Sequence, residues 1–242
     1  MKQVLIAAVF VLGMGCAAAA FAADTLGRPV LATTTEHVAF AAGGTIHING
    51  SYGTLNIEGW DQPEVEITVT RSLPLRFGES KAPDAGPQRL ETVHVATTKQ
   101  SATELTIGTT LTVKHSKWVP AFLESSSTGV DADYQIRVPR NSHLEIQHGA
   151  GFVQVRGVTG DIDGSVRRGD LLLWLPPGAY SVDAKTKIGM VSSELAGVGR
   201  NHYVTGERYV GEGKAPAHRL NLRMGFGGIT IRQVPVETAD SR

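Results

Sequence analysis

The chain has 242 residues, of which 41% are hydrophobic and 19% charged, with 28 glycines and only 6% aromatic residues. This length suits one large domain or two small ones, and the composition favours a turn-rich all-β fold over a helical one. Lys and Arg together number 23, as do Asp and Glu, so no global field steers the chain toward nucleic acid or anionic lipid.

Residues 1–22 have the pattern of a secretory signal peptide. A short positive start precedes an apolar run at 4–13, and Ala20-Phe21-Ala22 is an A-x-A cleavage pattern. A membrane span needs about 20 apolar residues, so the sequence predicts no span. We expect cleavage after Ala22 and a periplasmic, envelope-associated or secreted product. Cys16, the only cysteine, offers a lipoprotein anchor as the alternative, although the residues before it fit a lipoprotein box poorly.

The next segments predict strands. Residues 23–43 form an N-terminal extension, and 44–130 form a first β-strand part in which apolar residues alternate, as in Ile46 and Ile48. Two stretches, 73–90 and 116–129, interrupt the alternation and are predicted as long loops. No window after the signal has the spacing of an amphipathic helix. The fold class is therefore predicted as all-β.

Residues 131–236 contain a repeat and are predicted to be continuous with the preceding part. Alternating apolar residues flank Gly151, Gly169, Gly189 and Gly227, which are 18, 20 and 38 residues apart. A period near 19 with two short strands per period predicts a β-solenoid, a single-domain β-helix-like stack whose turns share one core and bend at glycine. A β-sandwich is the alternative, because its strands recur at similar intervals.

The solenoid interpretation fixes which side chains point inward and which turns are neighbours. It places Val153 beside Leu171 and Leu171 beside Val191, in parallel register. The predicted core positions are Leu144, Ile146, Val153, Val155, Ile162, Val166, Leu171, Leu173, Val182, Ala184, Val191, Ser193, Leu220, Leu222, Ile229 and Ile231.

Three motifs in the repeat part resemble a known family. "V-P" at 138–139 with Leu144, the glycine-valine pattern over 149–160 and "G-D-L-L-L-W-L-P" over 169–176 look like the bacterial putative-adhesin family, an adhesin-like domain of unknown function and β-helix type. The resemblance covers 131–234 and is thinner over 44–115. It implies a β-helix-like stack exported to the cell envelope, without established catalytic residues.

The titratable residues predict no catalytic, metal or cofactor site. The eight histidines lack ligand spacing and are predicted to be surface or loop residues: His37, His47, His94, His115, His143, His148, His202 and His218. Asp161 and Asp163, with Asp170 and Asp183, suggest an acid/base pair or a calcium site. Turn and cap roles for aspartate are commoner.

One strand has apolar residues on both faces. In "LLLWLPPG", Leu172 and Trp174 are predicted to point outward, with Trp174 between Arg156 and Glu194. Leu172, Trp174 and Arg156 are the candidate partner contact. Two functions remain open. One is an exported, non-enzymatic binding or scaffold module for an unknown envelope protein or glycan. The other is a β-helix hydrolase or lyase that cleaves polysaccharide.

Overall fold

This computed structural model describes residues 30–73, 90–91, 93–111, 130–202, 205–213 and 218–234. The predicted signal peptide with its cleavage site after Ala22, Cys16, and His115 lie outside these residues. So do residues 74–89 and 112–129, which contain most of the two predicted loops.

All fifteen elements of the described chain are β-strands, which confirms the all-β class. In chain order they are β1 (Val30–Ala39), β2 (Thr45–Tyr52), β3 (Thr54–Trp60), β4 (Glu64–Leu73), β5 (Val93–Lys99), β6 (Glu104–Leu111), β7 (Asp131–Pro139), β8 (His143–Arg156), β9 (Ile162–Leu175), β10 (Tyr180–Ile188), β11 (Val191–Ser193), β12 (Val198–His202), β13 (Gly206–Gly211), β14 (His218–Phe226) and β15 (Ile229–Gln233).

The strands form one mixed sheet with two arms, which share the long strands β8 and β9. Arm A has the order β5-β6-β2-β8-β9-β14-β10-β13-β12 and uses the first halves of β8 and β9. Arm B has the order β1-β4-β7-β3-β8-β9-β15-β11 and uses their second halves. The central pairs are parallel, whereas β5-β6, β1-β4-β7 and β10-β13-β12 are antiparallel. The sheet is not closed.

Alternating side chains bury one face of each arm. Ile46, Leu144 and Ile162 are buried in arm A, and Val153 and Leu171 are buried in arm B. Each arm has an apolar inner face because the period of two places every second side chain on the same face. The two inner faces meet in a single hydrophobic cluster. The predicted core positions are buried except Ser193, which is half-buried.

A row of glycines marks the corner where arm A bends into arm B. The five corner glycines, all with positive φ, are Gly53 (112°), Gly151 (136°), Gly169 (125°), Gly227 (129°) and Gly189 (132°). A Cβ built on Gly169 would lie 1.8 Å from the carbonyl oxygen of Gly151. Neither the backbone angle nor the space admits a side chain there. The predicted corner role of Gly151, Gly169, Gly189 and Gly227 is therefore confirmed, and Gly53 is a corner glycine that was not predicted.

The order of the turns differs from their order in the sequence. Val153 pairs with Leu171, as predicted. The predicted contact between Leu171 and Val191 is wrong, because Ile229 pairs with both. The 37 residues between Gly189 and Gly227 contain the β12-β13 hairpin, which pairs along the outer edge of β10. The last segment, β14 and β15, then fills the space between β9 and the β10-β11 turn.

Side chains connect the two arms at the end opposite to β12. Thr97 on β5 donates a hydrogen bond to Glu36 on β1 at 2.8 Å. Lys99 donates to the Ala39 carbonyl at 2.5 Å, and Arg71 donates to the Val93 carbonyl at 3.1 Å. The predicted N-terminal extension thus contributes a strand, β1. These contacts, with a backbone hydrogen bond from the Ala41 amide to the Ala102 carbonyl at 2.9 Å, bring the outermost strands together.

Candidate functional site: the outer face of arm B

Outward side chains of arm B form rows across the strands, because residues in register project side by side. One of these, the charged row, crosses eight strands at the level of Trp174. Its members, in spatial order, are His37, Glu66, Arg137, Glu58, Arg156, Trp174, Arg232 and Glu194.

Trp174 lies between two arginines. The guanidinium carbon of Arg156 is 5.7 Å from the indole centroid, and that of Arg232, on the neighbouring strand, is 5.3 Å away. Arg156 is the predicted neighbour. The prediction that Glu194 is the other neighbour is wrong, because Glu194 lies one strand further out. Its Oε1 is 4.0 Å from the Arg232 Nε. The inserted β15 places Arg232 between them. The indole between the two arginines is half-buried, and its Nε1 is buried without a hydrogen-bond partner.

Ion pairs order the other half of the charged row. Arg137 Nη1 lies 3.2 Å from Glu66 Oε1, and Arg137 Nε lies 3.6 Å from Glu58 Oε2. His37 Nε2 is 3.8 Å from Glu66 Oε2. Exposed pairs of this kind stabilise a fold by about 0–1 kcal/mol each. Their main effect here is to fix the orientation of the side chains on the face.

A second row, the polar row, runs beside the charged row two residues away on each strand. Its members are Thr35, Thr68, Gln135, Asn56, Gln154, Leu172, Thr230 and Ser192. Hydroxyl and amide groups can both donate and accept hydrogen bonds. Leu172 is half-buried and is the one apolar member of this row.

A shallow groove of about 240 Å³ lies between the two rows. It is lined by Asn56, Ile57, Glu58, Gln135, Ile136, Arg137, Gln154 and Arg156. Its volume falls below the range of about 300–1,000 Å³ that is usual for enclosed small-molecule sites. The groove can therefore seat one group of an extended ligand but cannot enclose a substrate.

The structure places the three predicted contact residues, Leu172, Trp174 and Arg156, on this face. Their role as a contact for a partner stays a prediction. Sequence reasoning missed Asn56, Glu58 and Arg232 as their neighbours. A signal for the first two existed: aligning Gly53 with Gly151 as corner glycines places Asn56 beside Gln154 and Glu58 beside Arg156. Arg232 could be placed beside Trp174 only if the spatial order of the turns was already known.

The described histidines include surface residues paired with carboxylates and one core residue. Surface examples are His47, whose Nδ1 lies 2.9 Å from Glu145 Oε2, and His37. The surface prediction is wrong for His148, which is only 4% exposed. Its Nε2 lies 3.0 Å from the Gly53 carbonyl oxygen, and burial lowers the pKa of the ring. Gly50 leaves room for the ring, because a Cβ there would lie 2.4 Å from His148 Nδ1.

Each of the four aspartates has a backbone or side-chain hydrogen-bond partner. Asp170 accepts a hydrogen bond from the Gly228 amide at 3.0 Å, and Asp161 accepts one from the Arg219 amide at 2.8 Å. Asp163 and Asp183 lie in register two strands apart, with Asn221 between them, which corresponds to about 10 Å. These backbone and side-chain bonds are the structural roles that aspartate commonly has.

Asp183 is also held in its charged form. Partial burial alone would raise its pKa, but hydrogen bonds from Arg208 and Arg223 and their charges outweigh burial and lower the pKa. A general acid at neutral pH needs a raised pKa instead.

Within the described part of the chain, no group of three or more His, Cys, Asp or Glu residues is placed to hold a metal ion. The same residues contain no helix long and apolar enough to span a membrane.

No protein-family model matches the chain, and no curated protein matches it. A solved structure of a putative cell adhesion protein from Clostridium sporogenes ATCC 15579 is similar at 13% identity and a TM-score of 0.48, over 86% of this chain and 100% of that one. A putative adhesin from Parabacteroides distasonis ATCC 8503 is similar at 14% identity and a TM-score of 0.30, over 83% and 65%. Another from Bacteroides fragilis NCTC 9343 has 10% identity and a TM-score of 0.26, over 82% and 96%. All three bacterial proteins are named as adhesins or cell adhesion proteins.

Proposed function

We propose that this chain is an exported, non-enzymatic, adhesin-like binding module of the cell envelope that recognises a glycan through the outer face of arm B. The observation that carries the proposal is the pairing of the polar row with the ordered charged row across eight strands. Such a face offers repeated donors and acceptors along a line, which suits an extended ligand with many hydroxyl groups.

We also propose that the architecture is a β-solenoid-like stack with additional strands at both ends. Parallel, in-register pairing and the corner glycines support this assignment, because each turn buries its inner face only against its neighbours. The antiparallel strands β12-β13 at one end and β1-β4 at the other act as caps. A capped stack is rigid, and a rigid scaffold holds the rows at fixed spacing for binding.

Export depends on residues 1–22, and the proposal includes removal of this segment after Ala22. Amino-terminal sequencing of the exported protein should begin at Ala23. A lipid-modified Cys16 as the first residue would contradict the proposal and establish membrane anchoring instead.

The lack of enzymatic activity is proposed from the arrangement of the carboxylates. Asp163 and Asp183 are each tied to cationic or amide partners and lie on a different arm from the groove. Incubation with envelope or plant polysaccharides should release no new chain ends. Turnover that is lost in Asp161→Asn or Asp163→Asn would contradict this part of the proposal.

Glycan recognition is tested with two matched pairs of amide side chains. Asn56→Ala/Gln154→Ala removes neighbouring members of the polar row. Asn49→Ala/Gln147→Ala removes neighbouring amides from the outer face of arm A. Binding to purified envelope polysaccharide is measured by titration with the exported protein. We expect the arm B variant to bind at least about tenfold more weakly, equivalent to ~1.4 kcal/mol, and the arm A variant to match the unmodified protein.

Two results would overturn glycan recognition by this face. In the first, both double variants lose the same affinity, so that the effect does not depend on the arm. In the second, the polysaccharide does not bind while an envelope protein does, and the arm B variant loses that protein. The second result would still support the outer face of arm B as the binding surface, but with an envelope protein rather than a glycan as its ligand.

A further inference from the structure

The outer face of arm A carries a cluster of cations at the end formed by β9, β14, β10, β13 and β12. We name this cluster the basic strip. Its members are Arg167, Arg223, Lys185, Lys187, Arg208 and Arg200. In register, Arg223 lies opposite Lys185, Lys185 opposite Arg208 and Arg208 opposite Arg200. Four cations therefore stand side by side on four neighbouring strands, about 4.8 Å apart from strand to strand.

Only part of this charge is compensated by carboxylates of the described chain. Asp183 contacts Arg208 at 3.0 and 3.2 Å and Arg223 at 2.8 Å. Arg200, Lys187 and Arg167 are exposed. Like charges placed directly opposite one another destabilise a sheet. Asp183 offsets this repulsion at Arg208 and Arg223, so the charge that an external polyanionic surface would contact is mainly that of the exposed Arg200, Lys187 and Arg167.

The neutral composition of the chain hides this polarity. Residues 163–234 contain ten Lys and Arg against six Asp and Glu, whereas residues 30–162 contain ten against fourteen. The positive excess belongs to the part of the chain, residues 163–234, that builds the basic strip. Local attraction to an anionic surface is therefore possible without a net charge on the whole molecule.

Large apolar side chains are exposed at the corner next to the basic strip. Phe226 is 49% exposed, its register partner Ile188 is 44% exposed, and Met190 is 75% exposed. The three residues adjoin the corner glycines 227 and 189, where arm A bends into arm B. The guanidinium of Arg168 lies 5.9 Å from the Phe226 ring centroid. We name Phe226, Ile188 and Met190 the apolar corner.

We infer that the basic strip and the apolar corner together dock this protein onto an anionic lipid surface. Lipid phosphates would contact the strip, and the apolar corner would enter the boundary between headgroups and acyl chains, the usual arrangement of interfacial binding. A soluble polyanion would match the cations but would leave the apolar corner in water. This inference goes beyond the proposed glycan recognition, because it uses the other arm of the sheet.

The electrostatic part is tested with vesicles of phosphatidylcholine containing one fifth phosphatidylglycerol and with vesicles of phosphatidylcholine alone. The exported protein is used, so that every variant carries the same amino terminus. Lys187→Gln/Arg200→Gln removes two charges from the basic strip, and Arg137→Gln/Arg156→Gln removes two from arm B as the matched control. Thermal unfolding verifies that each variant is folded.

We expect the unmodified protein to sediment with the anionic vesicles and only weakly with the neutral ones. The strip variant should bind the anionic vesicles about 25-fold more weakly, since each basic residue near such a surface contributes ~1 kcal/mol, or about fivefold. The arm B control should bind as the unmodified protein does. Raising the salt concentration should weaken binding of the unmodified protein.

The apolar part is tested with Phe226→Ser/Met190→Ser, with Leu31→Ser as control, because Leu31 is 51% exposed at the other end of the sheet. The corner variant should lose at least about fivefold in affinity for anionic vesicles while retaining the salt dependence. The inference is overturned by equal binding to neutral vesicles, by equal effects of the strip and arm B variants, or by an unaffected corner variant. Binding to a soluble acidic polysaccharide without binding to vesicles would also overturn it.

Discussion

Trp174 shows how a large apolar side chain is accommodated on an outer face. Its ring lies between the guanidinium groups of Arg156 and Arg232, and each exposed cation–π contact contributes about 0.5–1 kcal/mol. Trp174→Ala should therefore lower the free energy of unfolding by about 1–2 kcal/mol. The neighbouring Leu173 is fully buried, and Leu173→Ala should cost about 2–5 kcal/mol. Urea denaturation of both variants measures the difference, and a larger loss for Trp174→Ala would contradict the outward placement.

His148 makes stability depend on pH. Burial lowers its pKa from the ordinary value of 6.5, so the unfolded chain takes up a proton near pH 6.5 while the folded chain remains neutral. Its contribution is therefore fully present above pH 6.5 and is lost as pH falls through 6.5 toward the lower folded pKa.

His148→Gln should reduce this dependence, because glutamine does not titrate. Free energies of unfolding measured by urea denaturation between pH 7.5 and 5 should fall more steeply for the unmodified protein than for the variant. His47→Gln serves as the control, since His47 is a partly exposed histidine paired with carboxylates. Parallel curves for the unmodified protein and His148→Gln would contradict the assignment.

At the scale of the strand, the corner glycines impose the strictest requirement on the sequence. Gly169→Ala would combine a φ of 125° with a Cβ 1.8 Å from the Gly151 carbonyl oxygen. Backbone strain and overpacking each cost about 1–3 kcal/mol, so we expect a loss above about 3 kcal/mol or no folded protein. Gly108→Ala is the control, because the nearest atom to its Cβ would be 3.9 Å away. Thermal unfolding should show a change below about 1 kcal/mol for Gly108→Ala; similar losses at both sites would refute the steric argument.

Cysteine pairs can report the order of the strands, since Cys16 is the only natural cysteine. Leu172 and Thr230 are register partners on neighbouring strands, whereas Ser192 lies beyond Thr230. A disulfide needs Cα atoms about 4.4–6.8 Å apart. Leu172→Cys/Thr230→Cys should therefore form a disulfide under mild oxidation, and Leu172→Cys/Ser192→Cys should not. Mass spectrometry of both variants decides the point, and the reverse result would restore the sequential stack.

The strands and their buried faces could be predicted from the sequence, but the neighbours of each turn could not. Alternation in Leu171 and Leu173 specifies a buried face, and Gly169 specifies a bend, since both depend on local geometry. The choice of Ile229 rather than Val191 as the partner of Leu171 depends on where the β12-β13 hairpin pairs. Both candidates are β-branched residues two positions after a corner glycine, so the sequence pattern cannot distinguish them.

The candidate face was predictable to the same extent. Trp174 and Arg156 belong to successive turns that are adjacent both in the sequence and in space, so their contact followed from the repeat. Arg232 comes from the inserted turn, and Glu58 and Arg137 come from strands that pair across about 80 residues or more of sequence. Register between such distant segments is set by the packing of the whole sheet.

For the whole molecule, the inserted turn changes the expected effect of truncation. A chain ending at residue 213 lacks β14 and β15, which lie in the interior of the stack between β9 and β10-β11. The buried side chains of β14 and β15, such as Leu220 and Ile229, would then be missing from the middle of the core. We expect this chain to show no cooperative thermal unfolding by circular dichroism. A chain ending at residue 234 should unfold as the full chain does; a cooperative transition in the shorter chain would mean that the turns are independent.

The insertion also has a consequence for how the protein is made. In synthesis, and in any passage through a membrane that begins at the amino terminus, residues 218–234 emerge after all the strands with which they pair. Until then β9 has an open edge on both arms, with unpaired backbone groups that can template pairing with another chain. Completion of the core must therefore wait until residues 218–234 have emerged. During that delay the same segment of a second newly made copy can fill the gap, which makes strand exchange between copies the characteristic assembly error of this topology.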